Sequence, residues 1–207
     1  MVEIYQIKAW IRKISPIIYR RILLPDTFSL ADLHHTLQII FGWPDTYLHQ
    51  FKIHGKRYGI SKPGGMWFSD NPKEVLLKSF GFRLKERFLY EYNFFDQWEI
   101  EIRIEKILPI DTKKTYPICI EGRGSGPPED SGGPWAFMEL KDKYSPWYIE
   151  ARLLEMIVED ELECRSEEID KFKYWLQADK FDRKRANRWL MQYSQGIDDW
   201  MWEIEEV

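Results

Sequence analysis

The sequence predicts an α+β protein: an antiparallel sheet with a capped helix packed on it, followed by a helical C-terminal part. Apolar and polar residues alternate with a two-residue period in the first half, and helical spacing replaces this pattern after residue 133. Strands first and helices later are typical of the α+β class. We expect a single domain, residues 1–207, with a sheet-rich part at 1–133 and a helical part at 134–207.

The first two predicted strands cover residues 3–12 and 17–24. The first shows alternating side chains, and a Ser-Pro pair separates it from the second, an aliphatic run that ends at Pro25. Two such runs joined by a turn favour an antiparallel pair. Because neighbouring residues of a strand point to opposite faces, Arg20 and Arg21 are expected on opposite sides of the sheet.

A helix is predicted from about residue 30 to residue 41. Ser29 and Asp32 match the capping box, in which each side chain accepts from the other residue's backbone N–H. Gly42 stands where a helix commonly ends in a left-handed glycine. The apolar residues with helical spacing predict the buried face: they are Leu30, Leu33, Leu37, Ile40 and Phe41.

Two hairpins are predicted in the middle of the chain. The first joins residues 48–53 to residues 57–60 through a glycine-containing turn, and a loop at 61–72 follows. The second covers residues 88–104 around a turn near Asp96, with alternation on both sides. One wet face and one buried face are typical of an antiparallel pair. The side chains expected to face the core are Tyr90, Tyr92, Trp98 and Ile100.

The segment from Cys119 to Phe137 is the most specialised part of the chain. Its glycines and prolines, among them Pro127-Pro128 and Gly132-Gly133, exclude a regular helix or strand through its middle. The backbone groups of such a segment need other partners. We therefore expect residues 122–135 to be ordered and to pack against the sheet near the 94–98 turn.

Helical spacing fills the last third of the chain. The predicted helices cover residues 134–143, 147–162, 167–177 and 182–193, and Asp182 is expected to cap the last of them. Tryptophans near the C-terminus can pack on the sheet or on another chain. A protein partner or a homo-oligomer therefore stays open.

Composition restricts the function classes. No window approaches the run of about 18 apolar residues that a membrane span needs, so we expect no membrane partner and a cytoplasmic protein. The net charge is −4, but residues 8–21 and 180–188 are basic and residues 155–170 are acidic. The negative total argues against strong DNA binding and leaves weak nucleic-acid binding as an expectation.

Motifs along nearly the whole chain are similar to those of a known family. They include residues 16–25 (PIIYRRILLP), 30–34 (LADLH), 92–99 (YNFFDQWE) and 126–133 (GPPEDSGG), with Phe181-Asp182 near the C-terminus. Together they resemble the plasmid pRi ORF-3-like family, also described as an insertion-sequence passenger family and sometimes tagged TnpR. The resemblance implies an α+β fold and genes that occur on plasmids, mobile elements and chromosomes, but no particular chemistry.

The chain departs from the family pattern where other members have Cys or His. The Cys before the Pro pair is Gly126 here, a second position that can be Cys is Ser131, and the His after the Trp is Ile100. A metal or thiol site on those positions would be incomplete in this chain.

The candidate functional or structural cluster consists of residues next to the matched motifs. They are Asp96, Trp98, Glu99, Glu129, Asp130, Arg20, Arg21 and His49. Carboxylates can bind a divalent cation or act as acid and base, or they can build a loop by accepting from backbone N–H groups. The second interpretation is favoured, and it predicts that Asp130→Ala costs roughly 1–3 kcal/mol through unsatisfied buried donors.

The histidines form no chelating motif, and no metal and no cofactor are predicted. They are His34, His35, His49 and His54. Adjacent residues of a helix diverge by about 100°, so His34 and His35 are not expected to bind one metal. A fold could gather His34, His49, Asp96 and Cys119, but structural or surface histidines are favoured.

Two functions stay open. The chain is either a non-catalytic binding or accessory protein of mobile-element origin, or a small metal-dependent, hydrolase-like enzyme that uses the loop carboxylates. The scarcity of histidine and the altered Cys and His positions favour the first function, which is not that of an enzyme.

Overall fold

A computed structural model describes residues 2–61, 68 and 70–205. The strands are β1 Glu3–Ile11, β2 Tyr19–Pro25, β3 His49–Ile53, β4 Lys56–Gly59, β5 Arg87–Tyr92, β6 Trp98–Pro109 and β7 Ile118–Arg123. The helices are α1 Leu30–Phe41, α2 Gly133–Lys143, α3 Pro146–Val158, α4 Ser166–Gln177, α5 Arg183–Ser194 and α6 Trp200–Glu205, with a short 3-10 helix at Leu77–Phe80. The predicted α+β class is confirmed.

Within the described ranges the strands form one seven-stranded sheet in the order β4-β3-β5-β6-β1-β2-β7. Every neighbouring pair is antiparallel. The long strands β1 and β6 pair near the middle of the sheet. The predicted β1–β2 and β3–β4 pairs are confirmed, and residues 62–67 and 69 of the predicted 61–72 loop lie outside the described residues.

The capped helix is α1, as predicted. The Ser29 side chain accepts from the Asp32 N–H at 3.1 Å, and the Asp32 carboxylate accepts from the Ser29 N–H at 2.8 Å. Gly42 ends the helix in the left-handed conformation at φ 73°. Leu33 and Leu37 are buried in the main core. Because this packing holds α1 in place, it also fixes the positions of the other side chains of the helix.

The hairpin of β5 and β6 is also confirmed. Tyr90 pairs with Ile100 and Tyr92 with Trp98 across the two strands, and all four side chains are fully buried. Between β4 and β5 the chain forms the 3-10 helix Leu77–Phe80.

The structure adds β7 and α6 to the predicted elements. Residues Ile118–Arg123 form an edge strand beside β2, so the Gly/Pro-rich segment is irregular only after residue 123. The backbone groups of β7 find their partners on the edge of β2 that β1 leaves free, a pairing that the local sequence does not reveal. The short helix α6 lays Trp200 against the main core, where it is 1% exposed.

Two hydrophobic clusters stabilise the described chain. The main one lies between the sheet and α1 and includes Trp189 of α5 and Trp200 of α6. The smaller one consists of Ile149 and Met156 of α3 and Phe172 of α4. No helix in the described part of the chain is long and apolar enough to cross a membrane.

Candidate functional site

The loop that joins β7 to α2, residues 124–132, is held by side chains of the sheet body. We refer to it as the β7–α2 loop. The indole N–H of Trp43 donates to the carbonyl oxygen of Pro127 at 2.9 Å, and that of Trp98 donates to the carbonyl oxygen of Glu129 at 3.4 Å. These hydrogen bonds satisfy loop carbonyl groups that are not paired within a helix or a strand.

The C-terminal helices hold the beginning of the same loop. The Tyr174 hydroxyl of α4 donates to the carbonyl oxygen of Gly126 at 3.0 Å. The N–H of Ser125 donates to the carbonyl oxygen of Ala178, just after α4, at 2.7 Å. The loop therefore connects the sheet body to the helical part.

Two glycines allow the loop to lie close to other backbone. A Cβ at Gly126 would stand 1.6 Å from the carbonyl oxygen of Phe41, and one at Gly133 would stand 2.1 Å from that of Asp96. The Asp96 carboxylate also accepts from the Gly132 N–H at 3.1 Å. The prediction that this segment packs against the turn around Asp96 is confirmed.

Glu129 links the β7–α2 loop to β5. Its half-buried carboxylate accepts a hydrogen bond from the Tyr92 hydroxyl. Burial raises the pKa of Glu129 and the neighbouring Asp130 charge adds to the rise, while hydrogen bonds from Tyr92 and Thr46 act against it. Burial, followed by the hydrogen bond to Glu129, also raises the pKa of Tyr92.

Asp130 does not have the buried donors that the sequence predicted for it. Its side chain is exposed and accepts from the Tyr47 hydroxyl. That hydrogen bond raises the pKa of Tyr47 to about 12. The predicted cost of Asp130→Ala rested on unsatisfied buried donors, so the structure replaces it with a small effect.

Arg21 and Glu99 lie on the face of the sheet opposite to Arg20 and Trp98, as strand alternation requires. Arg21 pairs with Glu105 at 2.6 Å, and Glu99 pairs with Arg12 at 3.2 Å. These ion pairs are partly exposed and remote from the β7–α2 loop. Neither Arg21 nor Glu99 is therefore part of the site.

Arg20 is the opposite case, a fully buried guanidinium. It is 1% exposed, and its Nε donates to the carbonyl oxygen of Ile40 at 2.8 Å. Its Nη1 donates to the carbonyl oxygens of Tyr19 and Arg123 at 2.9 and 3.0 Å. Arg20 therefore joins the end of α1 to β2 and β7.

Aromatic rings cover the guanidinium of Arg20. Its central carbon lies 3.7 Å from the ring centroid of Phe181 and 5.1 Å from that of Phe41. In the described part of the chain no carboxylate pairs with it, and its Nη2 makes no hydrogen bond. Burial lowers the pKa of Arg20 to about 9, so it remains charged at neutral pH.

A cavity of about 530 Å³ lies beside Arg20. We call it the Arg20 cavity. It is bounded by the end of α1, the β7–α2 loop, α4 and α5. Its lining residues include Arg20, Phe41, Pro127, Tyr174, Phe181 and Trp189. A buried charged side chain and several apolar side chains therefore line the same cavity.

A second polar cluster lies along α1. The Nε2 of His34 is 2.8 Å from the Asp45 carboxylate, and its Nδ1 is 2.7 Å from the Tyr90 hydroxyl. The rings of His34 and His49 stack with centroids 3.5 Å apart. His35 approaches the other oxygen of Asp45 at 3.9 Å. Asp45 therefore spans the two adjacent histidines that helix geometry alone would separate.

The predicted site residues thus fall into separate places. Those gathered at the β7–α2 loop are Asp96, Trp98, Glu129 and Asp130. His49 belongs to the histidine cluster with His34. Cys119 lies in β7, where its backbone N–H and carbonyl oxygen are hydrogen-bonded to the side chain of Asn187. In the described residues the acids around the loop do not converge as a group of metal ligands.

Sequence reasoning missed the side chains that complete these clusters. Tyr47 and Tyr92 donate to the loop carboxylates, and Tyr174 donates to the loop backbone. Tyr92 was predicted only as a core residue, which it also is. Asp45 follows a Trp-Pro pair with no motif around it, so no local signal could have pointed to it.

Comparison with known proteins agrees with the motifs. The family model described as plasmid pRiA4b ORF-3-like protein matches residues 3–189. The chain belongs to this family. The resemblance predicted from the motifs is therefore confirmed.

Two relatives of this pRiA4b ORF-3-like chain carry no assigned activity in their names. "Uncharacterized protein y4hQ" of Sinorhizobium fredii (strain NBRC 101917 / NGR234) is 28% identical over 202 residues, which are 95% of this chain and 92% of that protein. The crystal structure of the protein of unknown function MM3350 from Methanosarcina mazei Go1 is similar with a TM-score of 0.67 at 30% identity. The similarity covers 89% of this chain and 97% of the Methanosarcina mazei chain.

The altered family positions have structural explanations in this chain. Any side chain at residue 126 would meet the carbonyl oxygen of Phe41, so the Cys expected there from the family pattern would not fit this loop path. Ile100, where the same pattern leads us to expect His, is fully buried opposite Tyr90. Both positions therefore serve packing here.

Proposed function

We propose that this protein is a non-catalytic binding protein whose Arg20 cavity takes a small ligand with an anionic group on an apolar body. The observation that carries the proposal is Arg20 itself, a fully buried guanidinium that lines a cavity and pairs with no carboxylate in the described chain. Buried charges in proteins are commonly paired, because burial removes their hydration. An anionic ligand would supply the missing partner.

The geometry of Arg20 suits an anion with two acceptor oxygens. Nε and Nη1 donate to carbonyl groups, whereas the N–H groups of Nη2 have no acceptor among the residues that the structure describes. Phe41 and Phe181 cover the planar group and limit the directions from which a ligand can approach. Carboxylates and phosphates are the groups that such an arginine commonly binds.

The cavity has the size and lining of a small-molecule site. Ligand pockets commonly have volumes of roughly 300–1,000 Å³ and mostly apolar walls, and this cavity measures about 530 Å³. Its lining also carries both signs of charge, from Lys171, Lys180 and Arg185 as well as from Glu129, Glu167, Asp170 and Asp182. Selection for an anion therefore rests on the buried Arg20 and not on the other charged residues of the lining.

The arrangement of the loop carboxylates favours binding over catalysis. Glu129 accepts from Tyr92, Asp130 accepts from Tyr47, and Asp96 accepts from the backbone of the loop. A hydrolase that used them would have to break contacts that position its own site. The hydrolase-like alternative has no such observation in its favour.

We also propose that nucleic-acid binding is weak and that an accessory role in the mobile-element context needs a partner. The basic side chains of α5 are partly engaged within the protein. Arg183 donates to the carbonyl oxygen of Ile120 at 2.8 Å, and Arg185 lies 5.2 Å from the ring centroid of Trp189. Phosphate contacts dominate DNA affinity, so a gel-shift assay at near-physiological salt should show no sub-micromolar binding to duplex DNA. Sub-micromolar binding there would refute this part of the proposal.

The ligand proposal is tested by thermal melts with paired probes. Benzoate and phenyl phosphate carry an anion on an apolar ring, and benzamide is a neutral analogue of similar shape. A ligand that binds only the folded protein raises the melting temperature with its concentration. We expect the two anions to raise it and benzamide to leave it nearly unchanged.

Ser125→Phe provides the matched variant, because Ser125 lines the cavity while its backbone N–H, not its side chain, binds Ala178. The larger side chain should abolish the rise caused by the anions. Ser194→Phe, at an exposed position in the last turn of α5, should keep it. Equal rises with benzoate and benzamide, or a rise that survives Ser125→Phe, would refute the proposal.

A further inference from the structure

His34, His35 and Asp45 bring three ligand atoms within 4.8 Å of one another. Helix α1 supplies the two imidazoles, and the loop after Trp43 returns to place the Asp45 carboxylate between them. Each histidine approaches a different oxygen of that carboxylate, His34 at 2.8 Å and His35 at 3.9 Å. Zn–N and Zn–O bonds of roughly 2.0–2.2 Å put tetrahedral ligand atoms about 3.3 Å apart, so the observed distances lie on either side of that value.

His35 offers a nitrogen that has no hydrogen bond. Its Nδ1 is buried and has no hydrogen-bond partner among the residues that the structure describes. An imidazole nitrogen that carries no proton is the form that binds a metal.

The surroundings of His34 can orient it as a ligand. Its Nδ1 is 2.7 Å from the Tyr90 hydroxyl, which also accepts from the Gln38 amide at 2.8 Å. The hydroxyl oxygen has two lone pairs and can accept from His34 as well. With the proton on Nδ1, the Nε2 of His34 would exchange its hydrogen bond to Asp45 for a bond to a cation, and a hydrogen bond from the other ring nitrogen is typical of metal-binding histidines.

Gln38 also positions the third ligand. Its side-chain oxygen accepts from the backbone N–H of Asp45 at 3.2 Å. The same amide therefore touches both the Tyr90 hydroxyl and the backbone of Asp45, one turn of α1 away from His34. His34 and Asp45 therefore share a support that does not depend on a bound ion.

The cluster is accessible from one side. The His34 side chain is 2% exposed, whereas His35 and Asp45 are 31% and 26% exposed. A cation could enter past His35 and Asp45, and a water molecule could complete its coordination. Two imidazoles and one carboxylate with an open fourth position form a donor set that suits zinc.

We infer that His34, His35 and Asp45 form a binding site for one divalent transition-metal cation, with Zn²⁺ as the best match. The site uses none of the residues of the Arg20 cavity. It also differs from the loop-carboxylate site that the hydrolase hypothesis requires.

The test is a calorimetric titration of the chelator-treated, dialysed full-length protein with ZnCl2. We expect one Zn²⁺ per chain. A parallel titration with CoCl2 should give the intense visible absorption bands of tetrahedral cobalt, which adventitious surface binding would not produce.

Two variants and a matched control locate the site. His35→Gln and Asp45→Asn each remove one ligand and should weaken Zn²⁺ binding by about 100-fold or more, since loss of a supporting residue alone commonly costs roughly 10–100-fold. His54→Gln, which alters an exposed histidine paired with Glu86, should bind as the wild type does. Circular dichroism of each metal-free variant checks that it is folded.

The inference is wrong if the wild-type protein takes up no Zn²⁺ at 1:1 stoichiometry. It is also wrong if folded His35→Gln and Asp45→Asn bind as tightly as the wild type. Loss of binding in His54→Gln with retention in the other two variants would place the metal elsewhere.

Discussion

The β7–α2 loop and the helix pair α3–α4 differ in what holds them in place. The loop has no regular backbone pattern, yet the indoles of Trp43 and Trp98 and the hydroxyl of Tyr174 fasten its carbonyl groups. The helices are regular, but their shared cluster has only Ile149, Met156 and Phe172 fully buried in the described chain. Large apolar side chains of α3 remain exposed, with Trp147 at 80% and Val158 at 85%.

The comparison shows that regular secondary structure and a firmly held position are separate properties. A helix satisfies its own backbone groups, so it can remain helical while it packs loosely. An irregular segment has no such internal partners, and its backbone needs partners from elsewhere in the protein. The loop is therefore expected to be among the more stable parts of the chain, and α3–α4 among the first to open.

Gly126→Ala should have the largest effect on stability. The added Cβ would meet the carbonyl oxygen of Phe41 at 1.6 Å, so either the loop or the end of α1 must move. We expect a loss of about 3 kcal/mol in the free energy of unfolding, as for overpacked cores, measured by urea denaturation. Gly55→Ala is the comparison: a Cβ there meets nothing within 4 Å, and only the left-handed φ of 78° disfavours alanine, so it should lose about 1–2 kcal/mol. Equal losses in the two variants would contradict the close approach at Gly126.

Trp43→Phe should have the next largest effect. Trp43 is fully buried, stacks on Tyr92 and donates to the carbonyl oxygen of Pro127. Loss of part of the ring and of one buried hydrogen bond should cost about 2 kcal/mol. Trp135→Phe makes the same change at a side chain that is 74% exposed and should change stability by less than about 0.5 kcal/mol. If the two variants had the same melting temperature, the loop would not be anchored through Trp43.

Phe172→Ala should act locally. Phe172 belongs to the small cluster between α3 and α4, so its truncation is expected to speed amide exchange in α3 and α4 and to leave β5 and β6 nearly unchanged. Hydrogen exchange followed by mass spectrometry separates the two regions. Equal acceleration of amide exchange in the strands would mean that the helix pair and the sheet unfold together, which would contradict the expected early opening of α3–α4.

Glu129→Gln should give the smallest effect, and one that depends on pH. Burial raises the pKa of Glu129 above 4.5, so the folded state prefers the protonated carboxyl. The resulting stabilisation is complete below about pH 4.5 and is lost as pH rises through the folded-state pKa. The neutral amide avoids this loss and can still accept from Tyr92. The difference in stability between the variant and the wild type should therefore favour the variant more at pH 7 than at pH 4.

Melting temperatures of Glu129→Gln, Asp130→Asn and the wild type at pH 4 and pH 7 check this expectation. Asp130→Asn removes a charge at the exposed neighbour and should show a smaller change with pH than Glu129→Gln does. A relative loss of stability in Glu129→Gln on going from pH 4 to pH 7 would show that the ionised carboxylate stabilises the loop.

Local physics in the sequence determined much of the fold. The ends of α1 follow from a capping box and a terminal glycine, and the buried face of the β5–β6 hairpin follows from a two-residue period. Even the packing of the β7–α2 loop was predictable, because a segment rich in Gly and Pro must find partners for its backbone outside itself. These features depend on residues that are neighbours along the chain.

Only the tertiary structure decided the chemistry of the sites. Arg20 and Arg21 look equivalent in the sequence, yet one is fully buried beside a cavity and the other forms partly exposed ion pairs. The partner of Asp130 is Tyr47, and Asp45 joins two histidines that helix geometry directs apart. Such pairings depend on where distant segments meet, and no local pattern in the chain encodes the distance between two side chains across a core.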